Sequence, residues 1–401
     1  MLGTLLVVVG VIFRNAPKKV VYDLPVLIAF IGVAVMIYGG VQFLRRKALG
    51  ETVAFSLKKT LAFFLDNAII FALLVLVVVI CILNPNFMQI RVVLDILTQS
   101  SPRLVIALGI CFALIIGGTD LSAGRMVGMA AVVTTSMLQT AEYGNRFFPN
   151  LGHMNIILPI LIAIFACMLF GMINGFLVAK FNMHPFIATL AVQVIVYGVC
   201  SLYFDMSPNN SQPIGGVRPD FIFLGQHKIA FPGFSNFLNN FFNTKFNGLS
   251  ILIPIAGVIA LAIWFVLNKT VFGKNVYAIG GNKEAAIVSG VNVFVTIMFV
   301  FIVGAAMYGV GGVLEAARTA GATNNYGVGY ELDAIAACVV GGVSLNGGVG
   351  KVSGIITGVL VFTVIQYGLQ FINVSPMWQQ VIKGVIIAVA VAIDLSKYNK
   401  K

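Results

Sequence analysis

The stretch VFVTIMFVFIVGAAMYGVGGVLEA, residues 293–316, decides the fold class of this chain. It carries no charged side chain before Glu315, and it exceeds the roughly 20 residues that an α-helix needs to cross the hydrocarbon core of a bilayer. Lipid offers no hydrogen-bond partners, so a crossing segment has to pair its backbone groups internally, as a helix does. The stretch therefore predicts a transmembrane helix.

The composition of the whole chain extends this prediction to the rest of the sequence. Of the 401 residues, 59% are hydrophobic and only 9% are charged, whereas a soluble domain carries about 25% charged residues. The mean hydropathy is +1.01. A water-facing surface cannot be built from so few charges, so these values exclude a soluble globular protein and indicate an integral membrane protein.

Further apolar runs divide most of the chain into spans. We predict an all-α, polytopic helical membrane protein with about ten core transmembrane helices, near residues 61–83, 95–117, 122–139, 154–179, 184–204, 251–268, 293–316, 331–346, 351–373 and 376–394. Residues 55–401 would form this transmembrane domain. Residues 1–54 would form an N-terminal extension with one or two apolar helices and a basic linker. The long connection 205–250 would either cap the bundle or contact an extracytoplasmic partner.

The net charge of +12 arises from 25 Lys and Arg residues against 13 Asp and Glu residues. The basic residues cluster in short loops beside apolar runs, which is the pattern of cytoplasmic loops in membrane proteins. It places residues 45–59, 268–292 and the C-terminus, 396–401, in the cytoplasm. A groove for nucleic acid is the less favoured interpretation. The extension breaks the pattern, because Arg14, Lys18 and Lys19 would lie outside if residues 21–44 span.

Motifs for enzymatic chemistry are missing from the sequence. The five cysteines are scattered through apolar stretches without a CxxC pair, which predicts neither a metal site nor a disulfide framework. No GxxxxGK[ST] loop is present to hold a nucleotide. We therefore expect no catalytic residue, metal or cofactor, and any energy from ATP would come from a partner.

One glycine-rich pattern occurs twice. GGTDLSAG at Gly117–Gly124 and GGVSLNGG at Gly341–Gly348 share GGxxLxxG. Paired glycine interruptions in the two halves of a membrane protein indicate a transporter built from repeats, with its pathway at the repeat interface. A chance match between glycine-rich helices is the alternative.

Several charged side chains lie in or beside the predicted spans, where each costs about 2.5 to 3.5 kcal/mol and normally faces a cavity or a partner. Asp120 and Arg125 are close enough in sequence to pair around a turn. Glu331 and Asp333 begin an apolar run, where they either cap a helix or face the pathway. Tyr330 either contacts a transported molecule or belongs to the interfacial aromatic belt. The pathway candidates are Gly117, Gly118, Asp120, Ser122, Arg125, Tyr330, Glu331, Asp333, Gly341 and Gly342.

The cytoplasmic connection 268–292 predicts a short exposed helix. Asn282 is placed to cap it, with Glu284 in its first turn. Ile287, Val288 and Val291 then fall on one side. Such a helix either docks into a groove of another protein or rests on the lipid surface.

At this connection the sequence resembles a known family. Glu284-Ala285-Ala286 followed by Gly290 is similar to the EAA loop of ABC-importer membrane subunits, although the usual downstream Ile-x-Leu-Pro is absent. The segments 275–291, 117–129 (GGTDLSAGRMVGM) and 330–350 (YELDAIAACVVGGVSLNGGVG) resemble the monosaccharide branch, the ribose and galactose permeases. The resemblance covers residues from about 55 to 401.

The resemblance implies an importer that moves a monosaccharide, such as galactose, glucose or a methyl-galactoside, across the inner membrane of a bacterium by alternating access. It implies a permease homodimer in lipid, an extracytoplasmic sugar-binding protein and a cytoplasmic ATP-binding subunit. The residues expected to couple to that subunit are Gly280, Gly281, Asn282, Glu284, Ala285, Ala286, Ser289 and Gly290. The alternative is a secondary sugar transporter or facilitator, for which Asp120 is the candidate ion-coupling carboxylate.

Overall fold

The computed structural model of the chain describes residues 77–229 and 248–398. The predictions made for the extension 1–54, for the first part of the span 61–83 and for residues 399–401 lie outside these ranges.

The described residues are almost entirely helical. Residues 77–83 are helical, and a 3-10 turn follows at Pro85–Met88. The helices after it are α1 Ile90–Ile115, α2 Ala123–Met137, α3 Ile157–Phe181, α4 Pro185–Asp205, α5 Pro219–Gln226, α6 Leu252–Lys269, α7 Val271–Gly281, α8 Lys283–Val288, α9 Val293–Thr319, α10 Tyr330–Val340, α11 Val352–Phe371 and α12 Pro376–Tyr398. Within the described ranges, strands are confined to one two-residue antiparallel pair, β1 Lys228–Ile229 with β2 Leu249–Ser250.

Six of these helices are long and apolar enough to cross a membrane: α1, α3, α4, α6, α9 and α11. Their bounds agree within about five residues with the predicted spans 95–117, 154–179, 184–204, 251–268, 293–316 and 351–373. The predicted span 376–394 corresponds to α12, which is a long helix but is not among the six. The all-α class and most core helices are therefore confirmed.

Two predicted spans are wrong as full-length crossings. The span 122–139 is the 15-residue helix α2, and the span 331–346 is the 11-residue helix α10 followed by turns. At 1.5 Å per residue, α10 is about 16 Å long, roughly half of the hydrocarbon thickness. The glycine pairs interrupt the helices, since Gly117 and Gly342 have φ of +80° and +85°, a left-handed conformation outside the α-helix.

The chain divides into two compact units, one containing residues 94–363 and 385–398 of the described part, the other residues 77–93 and 364–384. In the larger unit, α9 lies at the centre against α2, α3 and α5. Small residues allow this close approach: a Cβ on Gly309 would lie 2.9 Å from the Cα of Ile164, and one on Gly312 would overlap the carbonyl of Val127. In the smaller unit, the rings of Phe87, Tyr367 and Phe371 form an aromatic cluster.

Candidate functional site

The short helix predicted in the connection 268–292 is present as α8. Asn282 caps it, because its Oδ1 accepts a hydrogen bond from the Ala285 backbone nitrogen at 2.9 Å, and Glu284 lies in its first turn. Helix α7 precedes it and is capped in the same way, since Thr270 Oγ1 accepts from the Gly273 nitrogen at 3.2 Å. The local sequence therefore fixes where both helices begin.

The end of α8 is fixed by Gly290. Its nitrogen donates to the Ile287 carbonyl at 2.9 Å, and the Val291 nitrogen donates to the Ala286 carbonyl at 3.0 Å. These two bonds form a Schellman motif, which requires a left-handed residue after the helix. Gly290 supplies it with φ of +81°. Ser289 Oγ also donates to the Ala285 carbonyl at 2.8 Å.

Helix α8 presents apolar side chains outward. Val288 is 90% exposed and Ile287 is 48% exposed, whereas Ala286 is buried. Val291 is partly buried. Lys283 Nζ donates to Asn182 Oδ1 at the end of α3 at 3.0 Å. The result is a short helix, capped at both ends and bonded to the bundle, with exposed apolar tips.

The two GGxxLxxG segments meet at the end of α7. The Gly348 nitrogen donates to the Ile115 carbonyl at 2.8 Å, and a methyl group on Gly280 would overlap that same carbonyl oxygen. A Cβ on Gly347 would lie 2.8 Å from the Gly117 nitrogen and 2.9 Å from the Gly280 oxygen. We call these five residues, Ile115, Gly117, Gly280, Gly347 and Gly348, the glycine node. It joins the last turn of α7 to both segments by backbone contacts alone.

One further bond ties α7 to the second segment. Tyr277 Oη donates to the Gly350 carbonyl at 2.8 Å. Burial raises the pKa of the Tyr277 hydroxyl, so the group remains protonated and keeps its proton for this bond. The end of α7 is therefore held to residues 347–350 by a side chain as well as by the glycine node.

The three other glycines of the two GG pairs, Gly118, Gly341 and Gly342, differ in their surroundings. A Cβ on Gly118 would lie 2.8 Å from the ring of Pro185, and one on Gly341 would overlap the Gly354 carbonyl. Gly342 has open space around it but a φ of +85°. Close packing thus excludes a side chain at two of these positions, and backbone conformation disfavours one at the third.

Asp120 lies in a buried polar network rather than in a cavity. Its Oδ1 accepts from the Ser122 nitrogen at 3.0 Å and from Ser122 Oγ at 2.5 Å, and its Oδ2 accepts from Tyr308 Oη at 3.1 Å. Asn174 Nδ2 donates to Ser122 Oγ at 2.8 Å. The pairing with Arg125 that the sequence spacing allows is not formed, because the carboxylate turns back onto its own backbone and toward α9. The Arg125 guanidinium instead lies 4.2 Å from the ring centroid of Tyr197.

The first turns of α2 pack against the segment that leads into α10. A methyl group on Gly124 would overlap Glu331 Oε2 and the Gly327 carbonyl, and one on Gly128 would overlap the Tyr326 carbonyl. Glu331 is 7% exposed and, like Asp333, lies in the first turn of α10. The helix start predicted from these two carboxylates is confirmed, and it lies against the start of α2.

Tyr330 belongs to a buried ionic cluster. Glu315 is 1% exposed and accepts from Arg318 Nε at 2.9 Å, from Arg318 Nη2 at 2.8 Å and from Tyr330 Oη at 3.0 Å. The guanidinium of Arg103 lies 5.8 Å from the Tyr330 ring centroid. The Tyr330 hydroxyl is thus bonded to a buried carboxylate. Sequence reasoning noticed no pairing here, although the spacing of Glu315 and Arg318 by three residues was a usable signal.

Metal-binding geometry is missing from the described part of the chain. No group of three or more His, Cys, Asp or Glu residues there is arranged to hold a metal ion. The five cysteines are free and buried.

Comparisons with known proteins place this arrangement in a family. A family model described as "Branched-chain amino acid transport system / permease component" matches residues 92–391. The chain belongs to this family of ABC-importer permeases. It is thus a transport component of the membrane and not itself an enzyme.

Relatives of the permease are named for sugars. The galactose/methyl galactoside import permease protein MglC of Haemophilus influenzae is 49% identical over 354 residues, 88% of this chain and 99% of the relative. The protein of that name from Escherichia coli is 46% identical over 87% of this chain and 99% of the relative. The ribose import permease protein RbsC of Escherichia coli is 31% identical over 85% and 96%. No solved structure matches the permease.

Proposed function

We propose that this permease is the membrane-spanning subunit of an ATP-driven importer for galactose or a closely related monosaccharide such as glucose or a methyl-galactoside. Relatives named for galactose and methyl galactoside are 46–49% identical to it, compared with 31% for a relative named for ribose. The permease would work by alternating access in a bacterial inner membrane. About ten core spans within residues 55–401 would follow the extension 1–54, and the C-terminus would be cytoplasmic.

The observation that carries the proposal is the docking surface of α8. An isolated six-residue helix is unstable in water, yet α8 is capped at both ends and bonded to α3. It presents Val288 almost fully exposed. A rigid apolar tip of this kind suits a groove in the ATP-binding subunit, since a preordered helix loses little entropy on docking.

The other partners follow from the same assembly. A sugar-binding protein would deliver sugar on the opposite side, where residues 205–250 connect α4 to α6. A second copy of the permease would complete the pathway. Of the candidate pathway residues, Asp120 and Ser122 support the bundle by hydrogen bonds, and Gly118 and Gly341 support it by close packing. The remaining charged and tyrosine candidates, Arg125, Tyr330, Glu331 and Asp333, lie where α2 and α10 meet.

Secondary transport is the alternative. It requires a carboxylate that can bind and release an ion, and both oxygens of Asp120 are already bonded to Ser122 and Tyr308. The ABC mechanism therefore accounts better for the site.

Uptake of labelled galactose into proteoliposomes tests the proposal. We expect uptake only when the permease is reconstituted with its ATP-binding subunit, ATP and the sugar-binding protein. Omitting any one of these should abolish it. Uptake by the permease alone, driven by a proton or sodium gradient, would refute the ABC assignment and favour the alternative.

Charge reversal on α8 should uncouple the complex. In a Glu284→Lys variant, we expect sugar-stimulated ATP hydrolysis by the assembled complex to fall by about tenfold or more. The new cation faces the positive end of the α8 dipole and alters the docking surface. Membrane abundance should stay unchanged because Glu284 is exposed.

The matched control is Glu142→Lys, the same reversal in the exposed loop between α2 and α3. It should leave both stimulation and abundance unchanged. Normal stimulation in the Glu284→Lys complex would exclude the docking role.

A further inference from the structure

One nitrogen of the Arg125 guanidinium, Nη1, is buried without a hydrogen-bond partner among the described residues. The guanidinium makes a cation–π interaction with Tyr197. No acidic side chain in the described part of the chain lies within ion-pair distance of it, and its attraction to the buried Glu331 acts over a longer distance. A charge inside a membrane normally faces a cavity or a partner. The unbonded Nη1 of Arg125 therefore indicates a binding partner that is not part of this single chain in this conformation.

The position of Arg125 against the middle of α4 makes the lipid headgroups a poor candidate for that partner. Tyr197 lies twelve residues after Pro185, the first residue of α4, and eight residues before Asp205, the last. At 1.5 Å per residue, the guanidinium over its ring is about 12 Å from the nearer end of the helix. Arginine reaches the headgroup region only from positions near a helix end.

A second polar side chain with one unbonded atom lies on the same side of α4. Asn324 Nδ2 donates to Ser201 Oγ at 2.9 Å, and Ser201 Oγ donates to the Tyr197 carbonyl at 2.7 Å, one helical turn away. The other polar atom of this amide, Oδ1, is buried and has no partner within the described residues. Leaving a buried acceptor unbonded is unfavourable, and its presence in a structure calls for an explanation such as a ligand.

The surface between these two groups is open. Tyr197 is 42% exposed, and Val194, one turn earlier on α4, is 64% exposed. An unbonded donor and an unbonded acceptor thus flank an exposed aromatic ring near the middle of α4.

We propose that Arg125, Tyr197 and Asn324 form a contact site for the sugar during its passage, an inference that rests on the proposed sugar import. A monosaccharide is neutral, and its hydroxyl groups both accept and donate hydrogen bonds. Arg125 donates to a hydroxyl oxygen, Asn324 Oδ1 accepts a hydroxyl proton, and the C–H face of the sugar ring lies on Tyr197. Both unbonded atoms are buried in this conformation, so the site opens to the sugar in another state of the alternating-access cycle.

The test uses the full complex in proteoliposomes, with labelled galactose and its monodeoxy analogues carried by the binding protein. Arg125→Gln should lower galactose uptake by about tenfold, the expected loss of one charge-assisted bond. ATP hydrolysis stimulated by the loaded binding protein should stay within about twofold of wild type. Tyr197→Leu should lower uptake similarly, and Tyr197→Phe should preserve it because the ring remains.

The deoxy analogues separate a sugar contact from a structural role. If Arg125 donates to one hydroxyl, the wild-type complex transports the analogue without that hydroxyl less well than it transports galactose. The Arg125→Gln complex transports this analogue and galactose equally well, as in a double-mutant cycle. The controls are Arg146→Gln, in the exposed loop after α2 where the side chain binds backbone carbonyls, and Val194→Ala on α4. Both should retain wild-type uptake and discrimination.

Three outcomes would overturn the proposal. If discrimination among analogues is identical in wild type and Arg125→Gln, then Arg125 does not contact the sugar. If the Arg125→Gln complex falls apart into single permease copies, Arg125 is a contact between subunits. If the wild-type complex imports no galactose at all, the proposed function fails and this site fails with it.

Discussion

Replacing Gly280 with alanine is expected to lower sugar uptake by about tenfold or more and to reduce the amount of folded permease. The added methyl group would overlap the Ile115 carbonyl oxygen and lie 2.6 Å from the Gly348 nitrogen. Both neighbours are backbone atoms, which cannot rotate away as a side chain does. Overpacking costs about 1 to 3 kcal/mol, and each 1.4 kcal/mol corresponds to about a factor of ten. Uptake per folded complex and membrane abundance are the measurements.

The neighbouring residue provides the matched control. Gly281 also ends α7, but a Cβ there would meet nothing within 4 Å. Gly281→Ala should therefore retain nearly normal uptake. Equal losses of uptake in both variants would mean that the connection needs flexible glycines. Close packing at the glycine node would then not explain why position 280 excludes alanine.

The long helices were predictable because length and hydropathy determine them. A segment such as 293–316 is apolar enough to cross lipid and has no alternative to helical hydrogen bonding there. The structure extends it only to Thr319. Local chemistry was equally informative at α8, since the cap formed by Asn282 involves a residue three positions away.

The two short helices could not be recognised by the same reasoning. Residues 122–139 and 331–346 are apolar, and hydropathy does not report whether the backbone stays helical. The glycine pairs at 117–118 and 341–342 were recognised as interruptions, but where α10 ends depends on the left-handed φ of Gly342. That angle belongs to a hydrogen-bonded turn, in which the Gly342 nitrogen donates to the Val339 carbonyl and the Val343 nitrogen donates to the Cys338 carbonyl. Hydropathy does not report such a turn.

The partners of the charged residues were the least predictable feature. Asp120 is close enough in sequence to pair with Arg125, five residues away, but it bonds Tyr308, 188 residues away. Arg125 lies against Tyr197 on another helix. Tertiary packing determines which of the possible pairs forms. The sequence around Tyr308 and Tyr197 resembles that around any tyrosine in an apolar helix, so it gives no signal of these contacts.

Replacing Arg318 with methionine is expected to destabilise the permease by about 2 kcal/mol or more. Removing one member of a buried ion pair costs about 3 to 5 kcal/mol because the remaining charge is left without its partner. Glu315 is 1% exposed, whereas the side chain of Arg318 is 26% exposed, so water screens part of the effect. The apparent melting temperature of the purified permease in detergent should fall by several degrees.

Neutralising the carboxylate should reverse part of this loss. In an Arg318→Met, Glu315→Gln double variant neither member of this pair carries a charge, and the new amide oxygen still accepts from Tyr330. The melting temperature should therefore lie above that of Arg318→Met alone. Arg146→Met in the exposed loop after α2 is the matched control, because its side chain binds only backbone carbonyls there. If Arg318→Met melts at the wild-type temperature, Glu315 is stabilised by Tyr330 without the guanidinium, and the ion pair contributes little to the fold.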